Sequence, residues 1–445
     1  MKRLRTLLGI GLGLAVVVGA GWYITQSKAP APTRPGGRFG AGGPIPVGTA
    51  QAQKGEQIEA YVGRGVETDI RVYEGEVEHF VSAQSEGIGI RVIRDGTLDP
   101  TPAYTVPAGT SKENNDSLKT IAVHPKFADN RLVYFAYPIS GEKGTTLAVA
   151  RGKFDGRKID GVKQIFVADA WETSGNMGGK LLFGPDGTLY VTVGDRDRLC
   201  CTGTEDNSLR MKAQSLANDV GKTLRINDDG STPKDNPFAN RAGAKPEIFT
   251  YGHRNGYGLA FNPETGVLWQ AEIGPMGGDE VNILLPGHNY GWPLVSTGRN
   301  YTGTPVSDHP WTREGMDDPR MFWVPSISPS GLIFYTGDRF KGWKNSAFLG
   351  ALNGKALWRV SFHQPQQAEK REVLLQSLDE RIRDEERGYP LRAWLRVIAA
   401  QVHRPARAQR GAAQLLDHRW ANRTRPPCPA AQQSRQRPGG ASRHP

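Results

Sequence analysis

The sequence predicts an all-β chain folded as a propeller, and three observations carry that prediction. Across residues 52–387 helix-period patterns are few, and short β-branched or aromatic runs alternate with Gly, Pro and Asp turn signals. A unit made of a polar turn and then a strand-like run ending in small or polar residues recurs four times. Strands such as residues 189–193 are mostly apolar, which suits sheets covered on both faces. A β-sandwich is the alternative, but it would rarely repeat this unit four times.

At the amino terminus Lys2, Arg3 and Arg5 precede an uncharged apolar run of eighteen residues, 7–24. The run just reaches bilayer-spanning length, and Gly19-Ala-Gly-Trp22 makes a poor cleavage site. Residues 1–27 are therefore read as a signal peptide or membrane anchor, the anchor favoured, with the basic flank placing the body outside the cytoplasm. Residues 28–51 form a Pro/Gly-rich linker that cannot pack a core.

The body spans residues 52–387. Its first strand-like runs, 78–83 and 88–93, lack a preceding Pro-Asp-Gly turn, so the first blade is expected to be shortened. The four recurring units start at His124, Gly184, Asn262 and Gly337, at intervals of 60, 78 and 75 residues. His124 belongs to one of these turns and is read as structural rather than as a ligand.

Residues 388–445 hold eleven Arg, no Lys and one acid, Asp417, and show no strand pattern. Such a segment buries too little apolar area to offset its ordering entropy, so a disordered or aberrant tail is expected. It is either an out-of-frame extension or a basic interaction tail. The tail and residues 1–6 account for the net charge of +11; residues 7–387 carry −2. The basic balance thus gives no ground for a nucleic-acid partner of the body. Three cysteines are too few for a disulfide scaffold, and Cys200 and Cys201 are read as reduced thiols in a loop rather than a vicinal disulfide. Walker, His-Glu-x-x-His and Gly-x-Ser-x-Gly patterns are absent.

The densest chemistry lies in Tyr251-Gly-His-Arg-Asn-Gly-Tyr-Gly258, then Glu272-Ile-Gly-Pro-Met-Gly-Gly-Asp-Glu-Val-Asn282 and Asn289-Tyr-Gly-Trp-Pro293. A guanidinium, adjacent carboxylates and glycine turns within this stretch are equipment for holding an anionic cofactor through a hard cation. With Val123-His-Pro-Lys-Phe127, Phe183-Gly-Pro-Asp-Gly187, Val220-Gly-Lys-Thr-Leu-Arg-Ile-Asn227, Asp235-Asn-Pro-Phe238, Pro325-Ser-Ile-Ser-Pro-Ser330 and Arg381-Ile-Arg-Asp384, the chain resembles the soluble glucose/sorbosone dehydrogenase family over residues 112–384.

That resemblance implies an exported six-bladed β-propeller that oxidises aldose sugars to lactones with pyrroloquinoline quinone (PQQ) and calcium. Arg254, with Asn255 alongside, matches the arginine that contacts the quinone. Gly274 and Pro275 match the positions whose backbone carbonyls bind calcium, and Asp279, Glu280 and Tyr290 match positions that hold further calcium in some members. Arg381 and Arg383, two apart on a strand, match arginines that clamp the PQQ carboxylates, a role suited to fork-shaped donors.

Two departures bear on activity. The family's general base is a His, and its position falls on Asn176 in Ser174-Gly-Asn-Met-Gly-Gly-Lys-Leu181; an amide has no usable basicity near neutral pH. The family's PQQ-contacting Lys aligns with Asn353, and Lys355 stands two residues on. Cofactors are expected to be PQQ and calcium, the substrate a small sugar, and the electron acceptor respiratory or artificial. The competing expectation is a non-catalytic propeller that binds a sugar or protein partner through the same face.

Overall fold

A computed structural model describes residues 89–387 apart from short gaps at 95–96, 100, 108–109, 111–117, 174, 198–205, 338–339, 341, 363–368 and 380. It also gives the strand backbones at 47–51, 57–64, 79–83 and 395–401. The N-terminal unit Met1–Pro44 lies outside these residues, and so do the apolar run, most of the linker and the Cys200–Cys201 pair. Among the described residues no helix is long and apolar enough to cross a membrane.

The strands form six sheets among the described residues. In chain order, β1 (Val47–Gln51) and β2 (Gln57–Arg64) begin one that is completed below. β3 (His79–Ala83), β4 (Gly89–Arg94), β5 (Thr97–Leu98) and β6 (Tyr104–Thr105) form the second, in which the two-residue β5 and β6 both pair with β4. The third is β7 (Thr120–Val123), β8 (Leu132–Gly141), β9 (Gly144–Phe154) and β10 (Ile159–Val167). β11 (Gly178–Phe183), β12 (Leu189–Val193), β13 (Lys222–Ile226) and β14 (Ile248–Tyr251) form the fourth. The fifth is β15 (Gly256–Phe261), β16 (Leu268–Glu272), β17 (Asp279–Leu284) and β18 (Met321–Trp323), and the sixth β19 (Ile333–Phe334), β20 (Ala347–Ala351), β21 (Ala356–Ser361) and β22 (Lys370–Leu374). β23 (Arg381–Arg387) and β24 (Leu395–Gln401) return to the first sheet, in the order β1-β2-β24-β23.

Two of these strands lie where irregular chain is expected from composition. β24 falls inside the 388–445 tail, pairing antiparallel with β23 and parallel with β2, and β1 falls at the end of the linker. Polarity alone misled there, because a ladder of backbone hydrogen bonds does not depend on side-chain type.

The recurring sequence unit has one structural meaning. Each copy is the turn between the first and second strands of a sheet, plus the second strand: β8, β12, β16 and β20. β12, β16 and β20 are buried at every residue, since both faces meet a neighbouring sheet. One apolar cluster joins Tyr134 and Ala136 of β8 and Val149 of β9 to Leu181, Val191, Leu224 and Ile248 of the next sheet. Another joins Trp269 and Val281 to Phe334, Leu349 and Val360. Fully burying each such side chain contributes about 1.5–3 kcal/mol. One edge strand of each sheet also meets that of the next in series: β3 on β7, β7 on β11, β11 on β15, β15 on β19 and β19 on β23. Four-stranded sheets, antiparallel apart from the β2–β24 pair, packed face to face through successive edge strands make a β-propeller. His124 is structural, as expected: Lys126 N donates to its Nδ1 at 3.0 Å, and its ring packs edge-on against Phe183.

Candidate active site

In an antiparallel four-stranded sheet, the start of the first strand and the link between the second and third strands share one end. Asn176 leads into β11, Asp195–Asp197 follow β12, and Arg254 and Asn255 lead into β15. Gly274 and Pro275 link β16 to β17, Asp279 opens β17, Asn353 and Lys355 link β20 to β21, and Arg381 opens β23 with Arg383 two residues on. Topology therefore brings those of the antiparallel sheets to one end, and the Ser330–Ile382 hydrogen bond brings the start of β23 to the same segment. Tyr290 lies in the long link between β17 and β18 instead.

Asn176 is held from both sides. Its Nδ2 donates to Asp195 Oδ1 at 2.8 Å, and its Oδ1 accepts from Asn255 Nδ2 at 3.2 Å. Asn255 Oδ1 accepts from the Gly178 backbone N–H at 3.2 Å. An acceptor-only carboxylate at one end and a donor-only N–H at the other fix the sense of both amides. Asp195 is buried and also accepts from Trp292 Nε1 at 2.8 Å and from Asp197 N at 3.1 Å. Burial raises its pKa, opposed by the Arg254 charge. Gly194 is required here: a Cβ on it would stand 2.3 Å from the Asn176 carbonyl oxygen.

Arg254 is buried beneath this network. Its backbone N–H donates to Glu272 Oε2 at 2.7 Å, and one terminal nitrogen donates to the carbonyls of Ile273 at 2.6 Å and Gly274 at 2.9 Å. Its guanidinium lies 5.5 Å from the Trp292 ring centroid, and its Nε is buried without a hydrogen-bond partner. Under it, Glu272 accepts from Asn282 at 2.7 Å and faces His253 Nδ1 at 3.0 Å, and His253 stacks on Tyr290. Burial raises the Glu272 pKa, but the adjoining His253 and these donors outweigh it and hold the carboxyl below its usual range. Glu280, its cross-strand partner, is pushed well above its usual value by burial and then by the Glu272 charge.

The expected acidic metal group does not assemble. Both Asp279 oxygens are engaged, accepting from Gly274 N, Ser326 Oγ, Ile327 N and Ser328 N at 2.6–2.9 Å. That carboxylate staples the Gly274 loop to the Pro325–Ser330 segment. Glu280 pairs with Glu272, and the Tyr290 hydroxyl donates to Ile283 O and accepts from Leu285 N, at the far end of β17 from Asp279. Among the described residues no group of three or more His, Cys, Asp or Glu is placed to hold a metal ion. The backbone carbonyls of Ile273 and Gly274 at this end accept from the Arg254 guanidinium.

Lys355 is exposed and pairs with Asp379 at 2.9 Å, while Asn353 donates to Ser326 O at 3.1 Å. Ser330 Oγ donates to Ile382 O at 2.6 Å, tying β23 to the segment that Asp279 anchors. Arg381 is half-buried, and the Arg383 side chain lies outside the described ones. Three partners escaped the sequence reading: Asp195, Trp292, and the buried Arg210–Asp197 ion pair at 2.8 Å. The Gly194-Asp195 step after an apolar strand, and Trp292 within Asn289–Pro293, were their local signals.

Residues 76–395 match the family described as glucose / sorbosone dehydrogenase. The chain is 38% identical over 308 residues to an uncharacterised protein of Synechocystis, covering 67% of this chain and 74% of that one. It is 34% identical over 276 residues to aldose sugar dehydrogenase YliI of Escherichia coli, covering 61% and 71%. The solved structure of the PQQ-bound form of aldose sugar dehydrogenase from Streptomyces coelicolor aligns with a TM-score of 0.56 at 25% identity, covering 77% of this chain and 86% of that one. The chain belongs to the glucose/sorbosone dehydrogenase family.

Proposed function

We propose that this protein is an exported, PQQ- and calcium-dependent oxidoreductase that converts aldose sugars to lactones on a six-bladed propeller. The observation that supports the reading is the Arg254 guanidinium on the Ile273 and Gly274 carbonyls at the start of β15, with the start of β23, which carries Arg381, tied to the adjoining Pro325–Ser330 segment. The donor set fits an anionic quinone: Arg254 keeps a buried Nε without a partner, and arginine side chains match carboxylates. It also fits a hard cation, because the Ile273 and Gly274 carbonyls already converge on a positive charge, the Arg254 guanidinium.

In this reading Arg254, Asn255, Arg381 and Arg383 hold the cofactor, Lys355 borders it, and Gly274 and Pro275 hold calcium. When bound there, PQQ would supply a two-electron acceptor for hydride from the sugar C1. Asn255 and Asp195 hold Asn176, which orients the anomeric hydroxyl through its amide. Asn176 cannot take the hydroxyl proton, and Asp195 is enclosed by three donors. Loss of a general base costs about 10²–10⁴ in rate, so turnover is slow. Electrons leave to a respiratory or artificial acceptor. The Lys2-Arg3…Arg5 flank and the apolar run support export with membrane association.

Calorimetric titration with PQQ, with and without calcium, tests this. Saturable PQQ binding that strengthens with calcium is expected; no heat and no thermal shift in either condition rejects it. The doubly held Asn176 favours a second reading, a sugar-binding propeller without turnover.

A further inference from the structure

We propose that Arg210 is the positioning residue of Asn176, acting through Asp197 and Trp292, which both hold Asp195. The inference rests on the aldose-oxidising reading above for its kinetic consequence and on geometry for the rest. Arg210 is fully buried. Its Nε donates to Asp197 Oδ2 at 2.8 Å, and one terminal nitrogen stands 2.8 Å from the same oxygen. The other terminal nitrogen donates to Asn300 Oδ1 at 2.8 Å, and the guanidinium carbon lies 5.4 Å from the Trp292 ring centroid.

Two routes from this guanidinium meet at one carboxylate. Asp197 N donates to Asp195 Oδ1, the oxygen that also accepts from Asn176 Nδ2, and Trp292 Nε1 donates to Asp195 Oδ2. Arg210 therefore sets a donor on each Asp195 oxygen. A third tie bypasses Asp195, since Asn176 N donates to Asp197 O at 3.4 Å. Asp197 depends on the arginine: its Oδ1 is buried without a hydrogen-bond partner, and a buried carboxylate deprived of its cation is strongly disfavoured. The guanidinium is aimed from outside the site. Asn300 Nδ2 donates to Thr304 Oγ1 at 3.1 Å and Pro305 O at 3.2 Å, which turns its amide oxygen toward Arg210. Arg210 N donates to Asp206 O at 3.0 Å, so the backbone is anchored separately. A planar fork held by a carboxylate, an amide and an indole face has one pose, and that pose passes to the amide that the reaction needs in one place.

The test uses the full-length protein without PQQ, isotope-labelled at asparagine nitrogen, and reads the Asn176 side-chain amide by NMR. Asn176→Ala identifies that resonance by its loss. Arg210→Met should shift or broaden it, and Asn300→Ala should shift it by less. Arg359→Met removes another buried arginine, held by Ser346 and Glu372 in the sixth sheet, and should leave it unmoved. With PQQ and calcium added, Arg210→Met should lower kcat for aldose oxidation about tenfold to a hundredfold, with KM within about threefold of the parent. A resonance unmoved in Arg210→Met and Asn300→Ala, or moved equally by Arg359→Met, overturns the proposal; Asn300→Ala alone decides if Arg210→Met does not fold. A moved resonance with unchanged kcat in an active parent overturns it as well. No PQQ binding by the parent rejects the oxidoreductase reading, while the resonance still decides whether Arg210 holds Asn176.

Discussion

At the residue scale, one amide decides how the site behaves. Asn176 is clamped between Asp195 and Asn255, so it is well placed and poorly basic. Asn176→His is expected to raise aldose turnover by about 10²–10⁴ with little change in KM, measured as dye reduction by PQQ-loaded protein. An unchanged rate would favour the binding-only reading. Gly194→Ala would drive a Cβ into the Asn176 carbonyl, costing roughly 1–3 kcal/mol in denaturant unfolding and displacing the amide.

Titration is argued at the same scale. Burial lifts Asp219 to about 7 and pulls Lys222 down to about 7. The folded protein keeps the Asp219 proton that the unfolded chain releases above its ordinary value of 3.8, so this group's stabilisation is lost as pH rises toward 7. The unfolded chain keeps the Lys222 proton up to about 10.5, so its contribution grows as pH rises above 7. Together they place a trough in stability near neutrality. Asp219→Asn should flatten the falling limb when unfolding free energy is measured from pH 4 to 7.

At the element scale, the long excursion after β12 depends on a buried lysine. Lys222 Nζ donates to the carbonyls of Lys212, Ala213 and Val220 at 2.5–3.1 Å, fixing the chain that carries Arg210 toward Asp197. Lys222→Met strands three carbonyls and is expected to cost roughly 2–4 kcal/mol, read by chemical denaturation. The recurring turn-plus-strand unit was legible because its signals are local: a Pro-Asp-Gly-type turn followed by an apolar strand. The Asp279 staple was not, since a Gly-Gly-Asp-Glu turn reads equally well as a metal loop until its donors arrive from Ser326, Ile327 and Ser328.

At the scale of the whole molecule, the first sheet joins the two ends of the described chain. β2 runs parallel to β24 across more than three hundred residues of intervening sequence. Deleting residues 388–445 removes β24 and leaves the edges of β2 and β23 unpaired. The thermal midpoint should fall by several degrees, at about 2–4 °C per kcal/mol, in differential scanning calorimetry. An unchanged midpoint would mean that the tail adds no closing strand.

The amino-acid sequence by itself determined the strand-rich class, the position of the four recurring turns, and which side chains are chemically able to grip an anion or a cation. Those follow from interactions between near neighbours in the chain. Only the tertiary structure decided that Asn176 is locked, that Asp279 is a staple, that Tyr290 lies away from Gly274, and that β24 pairs at all. Each of these depends on partners remote in sequence, whose approach is fixed by sheet packing rather than by local propensity.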